Sequence, residues 1–345
     1  MDNYFVIQNI LIQNNLKVKI YRYRDKCTDR QIRKEEDKDM SKIAFVFPGQ
    51  GAQYVGMGKD FYEQIPVSRK VIDTASEVTG LDIPSICFEE NENIHITEYT
   101  QIAMLAVEAA MLRALEEKGV RSQVNAGLSL GEYGALIASG VMSERDAFAA
   151  VRKRGIFMQE AVPEGGAMAA VMGTDAALIE EICEKTQGIV SIANYNCPRQ
   201  IVITGEKEAV DRAGEALKEA GARRIIPLKV SGPFHSKMLE GAGEKLGEAL
   251  KDVELCDFTI PYVTNVTAQY VKEPSLVKEL LVQQVSSSVR WQQCVEKMLE
   301  EGVDTFIEIG PGKTLAGFMK KIDRTVKVLN VEKVEDLEKA AKECL

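Results

Sequence analysis

Histidine is scarce in this chain. Among 345 residues there are two, His95 and His235, so chemistry that needs an imidazole base has only those candidates. Seven cysteines are scattered with no CxxC pair and no zinc-ligand spacing, and their odd number argues against a disulfide framework. A reducing cytoplasm is therefore the expected setting, with no metal site. Long apolar runs are also lacking: the longest, Ile102 to Leu112, is broken by Glu108 and falls far short of the ~20 residues of a membrane span. Basic residues are not clustered, and 43 Lys and Arg against 52 Asp and Glu leave a formal net charge of -9, which speaks against nucleic-acid binding. Neither the 26 glycines nor the 10 prolines are periodic, so a fibrous chain is excluded.

What remains is the composition of a globular protein, 45% apolar and 28% charged. At about 150 residues per domain, the length allows two or three units, or one large domain carrying an insertion. Residues 1–39 differ in texture from the rest, mixing apolar and amide residues before a charged run, and they lack the layout of a secretion signal. We expect them to be a non-core extension, disordered or an over-called start, with the fold beginning at Met40.

From there the pattern is α/β. Ile43 to Phe47 is a short apolar run ending in Pro-Gly, the profile of a buried parallel strand. Helical patterns follow over 68–79 and 100–118, then a strand over 124–127 and a helix over 130–139. Residues 168–230 read as strand, helix, strand, strand, helix, strand, the βαββαβ order of a ferredoxin-like domain. A strand over 262–265, helices near 274–285 and 291–301, and a strand over 305–309 resume the first pattern. The expected organisation is a discontinuous large domain, 40–163 and 232–345, interrupted by a small one, 164–231, with a cleft between them as the default site.

Nucleotide motifs fail on inspection. Gly49 and Gly51 would need a glycine where Tyr54 stands, and Gly312-Lys313-Thr314 would need one at Ile307. By contrast, Gly127-Leu128-Ser129-Leu130-Gly131 is GxSxG between a strand and a helix, the context of a nucleophile elbow rather than of a mere glycine turn. A serine nucleophile needs a base. His95 sits in a polar loop and reads as idle, whereas His235 falls where the chain leaves the small domain and re-enters the cleft. No carboxylate suggests itself to orient His235, since Asp252 and Asp257 fall at a helix and its exit. A backbone carbonyl would serve, giving a Ser-His dyad. On the helix that starts at the Ser143 cap, Arg154 shares the apolar stripe of Ala147, Val151 and Met158, and Lys153 points away. An arginine there needs an anionic partner, either an internal carboxylate or that of a substrate.

Six stretches then carry a family resemblance: Phe45-Val-Phe-Pro-Gly-Gln-Gly-Ala-Gln, Gly127-Leu-Ser-Leu-Gly-Glu-Tyr, Arg154-Gly-Ile-Phe-Met-Gln, Asn194-Tyr-Asn-Cys-Pro-Arg-Gln-Ile-Val-Ile-Thr-Gly, Ser231-Gly-Pro-Phe-His and Glu308-Ile-Gly-Pro-Gly-Lys. In this order they resemble the malonyl-CoA:acyl carrier protein transacylases of fatty acid synthesis over about residues 41–330. The resemblance implies an α/β-hydrolase-like large domain with a ferredoxin-like insertion, and transfer of malonyl from malonyl-CoA to acyl carrier protein through a seryl ester. It implies Ser129 as nucleophile, His235 as base, Gln50 and Leu130 as backbone oxyanion donors, Arg154 as the carboxylate fork, and Gln284 as the residue whose main-chain carbonyl orients the histidine. It also implies a monomer that needs no cofactor beyond the CoA thioester, with no nucleic-acid or membrane partner. Two departures stand out: Leu128 replaces a histidine common in the family, and the segment before Trp291 lacks the usual Asn-Pro. Phe234 resembles the malonyl-preferring form of related acyltransferases, in which a bulky residue crowds out an α-methyl group. A serine thioesterase or esterase, or an acyltransferase of polyketide synthesis, are the alternatives.

Overall fold

A computed structural model describes residues 41–345; the extension expected over 1–39 lies outside the described residues. Ten strands run through the described residues: β1 (Ile43–Phe47), β2 (Val124–Gly127), β3 (Gly166–Met172), β4 (Val190–Cys197), β5 (Gln200–Glu206), β6 (Arg224–Pro227), β7 (Tyr262–Val263), β8 (Tyr270–Val271), β9 (Thr305–Ile309) and β10 (Lys327–Val331). They form two sheets. The larger has the order β10-β9-β1-β2-β7-β8 and is parallel except for β8; the smaller has the order β4-β5-β3-β6 and is antiparallel throughout.

The strand β1 is apolar on both faces and buried along its whole length, as a central parallel strand must be when helices cover both sides of the sheet. One cover is the helix Thr97–Glu117, apolar almost all round and buried from Thr100 to Leu112. It packs against the helices Pro66–Thr79 and Glu144–Ala161. Because β1 lies between β2, which follows it, and β9, which the chain reaches only after β8, the strand order reverses at β1, and a crevice opens at the carboxyl ends of these three strands. The loops that start with Pro48, Leu128 and Gly310 all emerge there.

In the small sheet, alternation assigns the two faces. Ala169, Val171, Ile201 and Ile203 point into an apolar layer with Ile179 and Leu217 of the helices Ala176–Lys185 and Lys207–Glu219. Met168 and Val202 point the other way, into the core of the larger sheet's helices and toward the crevice.

Several expectations need correction. The strand expected to reach Val230 ends at Pro227; Leu228 still donates to the Met168 carbonyl, but the chain then turns toward His235. The strand expected over 262–265 stops at Val263, because the backbone N–H of Asn265 leaves the ladder to donate to the Glu132 carboxylate. The helices Thr314–Ile322 and Val334–Cys344 and the strands β8 and β10 were not anticipated.

Candidate active site

A cavity of ≈ 220 Å³ lies between the two sheets, lined by the loops after β1 and β2, by Met158, Phe234 and His235, and by Met168, Asn194 and Val202 of the small sheet. Ser129 stands in it at the turn from β2 into the helix Gly131–Ala138, with φ of 55°. A side chain in that left-handed conformation is strained, and the surroundings must hold it. Two glycines make the turn possible. A Cβ on Gly127 would lie 1.9 Å from the Gly131 carbonyl carbon, and one on Gly131 would lie 2.2 Å from the Phe47 carbonyl oxygen. The GxSxG spacing is thus a steric requirement of two backbones in contact. Asn265 completes the brace: its Oδ1 accepts from the Ser129 N–H at 2.6 Å and its Nδ2 donates to the Gly127 carbonyl at 2.7 Å.

His235 approaches from the other side of the cavity, also with positive φ (61°), after the Gly232-Pro233 turn. Its Nε2 lies 2.8 Å from Ser129 Oγ, and its Nδ1 lies 2.8 Å from the Gln284 carbonyl oxygen. A carbonyl can only accept, so the proton sits on Nδ1 and the Nε2 lone pair faces the serine hydroxyl. Burial, helped by the nearby Arg154 charge, pushes the His235 pKa down to about 4, so the ring is neutral near pH 7. Asp252 and Asp257 are exposed in the segment after the helix Glu240–Leu250, and His95 is exposed in the short 3-10 turn Asn93–His95.

Ser143 caps the helix Glu144–Ala161 by accepting from the Asp146 N–H, and this helix carries Arg154 inward, 1% exposed, while Lys153 faces solvent. The Arg154 Nη2 lies 3.1 Å from Ser129 Oγ and donates to Gln284 Oε1 at 3.0 Å; Nη1 donates to Gln101 Oε1 at 2.7 Å, and Nε has no partner. Of the two partners foreseen for this arginine, the internal carboxylate is not the one found: its hydrogen bonds go to neutral groups. Burial lowers its pKa, but a guanidinium stays charged near neutrality. A cation desolvated beside a nucleophile, with a free N–H, is built to receive an anion.

The backbone N–H groups of Gln50 and Leu130 make no hydrogen bond among the described residues, and both residues line the cavity next to Ser129. The Gln50 side chain donates to Thr97 Oγ1 at 3.1 Å, which fixes the loop after β1. Ser129, His235, Arg154, Gln284, Gln50 and Leu130 are therefore all brought together. Sequence reasoning did not single out Asn265, Gln101 or Glu132. Of these, Glu132 had a visible signal, an acid inside the GxSxG-Glu-Tyr stretch, and Gln101 was a polar residue at the edge of an apolar run.

Among the described residues no cluster of three or more His, Cys, Asp or Glu side chains could hold a metal, and no helix is long and apolar enough to cross a membrane.

Residues 44–342 match the acyl transferase domain family. The chain is 46% identical over 306 residues to a malonyl CoA-acyl carrier protein transacylase of Bacillus subtilis, covering 87% of this chain and 96% of that one. It is 41% identical over 303 residues to the enzyme of the same name from Staphylococcus aureus, covering 86% and 98%. Its mixed α/β fold superposes on MCAT from Streptococcus pneumoniae with a TM-score of 0.85 at 50% identity, covering 88% and 100%. It superposes equally, at 40% identity and covering 88% and 100%, on a malonyl-transacylase solved in complex with a type II PKS acyl-carrier protein. The chain belongs to the acyl transferase domain family, among the malonyl CoA-acyl carrier protein transacylases.

Proposed function

We propose that this chain transfers a malonyl group from malonyl-CoA to the phosphopantetheine thiol of an acyl carrier protein, in two steps through a malonyl ester on Ser129. One observation carries the choice of acyl group: the buried Arg154 guanidinium, all of whose partners are neutral, stands 3.1 Å from Ser129 Oγ. A carboxylate on the acyl chain supplies the anion this cation lacks, and an acetyl group does not.

In the first step His235 Nε2 takes the hydroxyl proton as Ser129 Oγ attacks the thioester carbonyl. The Gln50 and Leu130 N–H groups receive the oxyanion, each worth ~3 kcal/mol in the transition state. The C–S bond breaks and CoA leaves with the proton from His235. In the second step His235 takes the carrier thiol proton, the thiolate attacks the ester carbonyl, and the ester C–O bond breaks with the proton returning to Ser129 Oγ. The CoA thioester is the acyl source, and no further cofactor enters this scheme.

The βαββαβ order and the parallel sheet with its elbow after β2 support an α/β-hydrolase-like large domain, residues 40–163 and 232–345, with a ferredoxin-like domain, residues 164–231, inserted. The working unit in this reading is a cytoplasmic monomer that supplies malonyl-carrier for fatty acid synthesis.

Intact mass spectrometry after mixing with malonyl-CoA tests the reading. The expected result is a malonyl adduct, absent in Ser129→Ala, that passes to added holo-carrier protein. Free malonate without malonyl-carrier would make the protein a thioesterase or esterase, and absence of any adduct would remove acyl chemistry altogether.

A further inference from the structure

The cluster behind Ser129 contains one carboxylate that the transfer scheme does not use. Glu132 is fully buried in the first turn of the helix that follows the elbow. Its Oε2 accepts from Gln284 Nε2 at 2.7 Å and from the Asn265 N–H at 3.1 Å. The Gln284 amide in turn donates to the Ser129 carbonyl at 2.9 Å and presents its Oε1 to Arg154 Nη2 at 3.0 Å. Guanidinium, amide and carboxylate thus stand in line, with the amide dipole oriented so that its oxygen meets the cation and its N–H meets the anion.

We propose that Glu132 is a positioning residue for acyl selection: through the Gln284 amide it supplies the counter-charge of Arg154 without occupying it, so a substrate carboxylate at Arg154 competes with the Glu132 charge and binds best when Glu132 holds a proton. A direct Arg154–Glu132 ion pair would close the fork to substrate. Spacing the pair by one amide keeps the fork open, and it sets two negative charges against one positive when a malonyl group arrives. The proton has a place to go. Glu132 Oε1 has no hydrogen-bond partner, and the Tyr262 and Thr264 hydroxyls approach Glu132 without completing a bond. Burial raises the Glu132 pKa to about 7, against the lowering effect of the Asn265 and Gln284 hydrogen bonds and of Arg154.

Apart from Glu108, the other groups facing Glu132 keep one protonation state across neutral pH. Tyr133 on the same helix, Tyr262 on β7 and Cys294 on the helix Trp291–Glu300 are all pushed up by burial and stay neutral. His235 is neutral above about pH 4, and Arg154 stays charged. Glu108, on the helix Thr97–Glu117, reaches the same helix at Gly134 and is raised by burial and by Glu308. A variant at position 132 separates its titration from that of Glu132.

This inference rests on the malonyl reading of Arg154, and the experiment keeps the two apart. Malonyl-CoA and excess acetyl-CoA compete for Ser129 in the full-length protein from pH 6 to pH 8.5, and the ratio of malonyl to acetyl adducts is read by intact mass. Both acylations need the same serine and histidine, so the ratio isolates the carboxylate. The expected result is a ratio that falls about tenfold as pH rises through neutrality, from like-charge repulsion at an effective dielectric of about 20. In Glu132→Gln, which keeps both accepted hydrogen bonds and removes the charge, the ratio is flat and exceeds the wild-type value at pH 8.5. A pH-independent ratio in the wild type overturns the proposal with no variant needed, and so does an unchanged slope in E132Q. Absence of any malonyl preference at every pH would instead overturn the assignment of Arg154.

Discussion

The carbonyl oxygen of Gln284 lies 2.8 Å from His235 Nδ1, so a main-chain atom orients the base of the proposed reaction and no carboxylate touches the ring. The neutral imidazole therefore gains no counter-ion, and burial together with Arg154 sets its pKa near 4 instead of the usual 6.5.

One prediction concerns acid pH. The base works only when unprotonated, so Ser129 acylation by acetyl-CoA should hold its rate down to about pH 5 and fall with an apparent pKa near 4. Removing the Arg154 charge in Arg154→Met should move that limb upward toward 6.5, though not all the way, because burial is the larger cause. Rapid-quench acylation rates against pH measure this; a wild-type limb at 6.5 would contradict the assignment.

Selectivity should reside in Arg154. Arg154→Ala is expected to lower malonyl acylation by two orders of magnitude or more, in line with about 3 kcal/mol for a lost charge-assisted pair, and acetyl acylation far less. Parallel kcat/KM values for the two thioesters provide the check. Equal losses would return Arg154 to a structural role.

Asn265 holds the elbow by both amide atoms. Asn265→Ala leaves the buried Gly127 carbonyl and the Ser129 N–H without partners, at a cost of about 1–3 kcal/mol each. Malonyl and acetyl acylation should fall together, by tenfold or more, and thermal unfolding should shift downward. A variant with wild-type Tm and rates would show that the strained φ of Ser129 is held by other contacts.

The glycines of the elbow and of a surface helix should respond in opposite directions. Gly127→Ala and Gly131→Ala force a Cβ into backbone atoms at 1.9 Å and 2.2 Å, and each is expected to destabilise by at least about 3 kcal/mol. Gly317, in the helix Thr314–Ile322, has nothing within 4 Å of a built Cβ, and Gly317→Ala should stabilise by roughly 0.5–1 kcal/mol. Chemical denaturation of the three variants decides it.

The parts of the fold legible in the sequence are those whose cause is local. The strand β1 is a short two-faced apolar run ending at Pro48, β2 and β9 are short, mostly apolar segments ending at Leu128 and Gly310, and the elbow announces itself because its two glycines are needed within five residues. Arg154 was legible for a similar reason, since a cation on an apolar stripe contradicts its own helix face. Asn265 was not. Its role depends on Gly127 and Ser129, more than 130 positions away, and the two-residue strand before it leaves no periodicity to read. The strand β10 escaped notice because it is an edge strand with only two of five residues buried, too weak a pattern beside the charged helix that follows.

The partition of labour between the two sheets has a practical consequence. Every group given a proton or a charge to handle in the proposed reaction is delivered by the parallel sheet, its helices or the segment at His235, whereas β3, β4 and β5 contribute only the Met168, Asn194, Asn196 and Val202 surfaces of the cavity. In the proposed reaction the small sheet is therefore wall and not machinery: substitutions at Met168 or Val202 should change which acyl chains fit while Ser129 and His235 keep their 2.8 Å spacing.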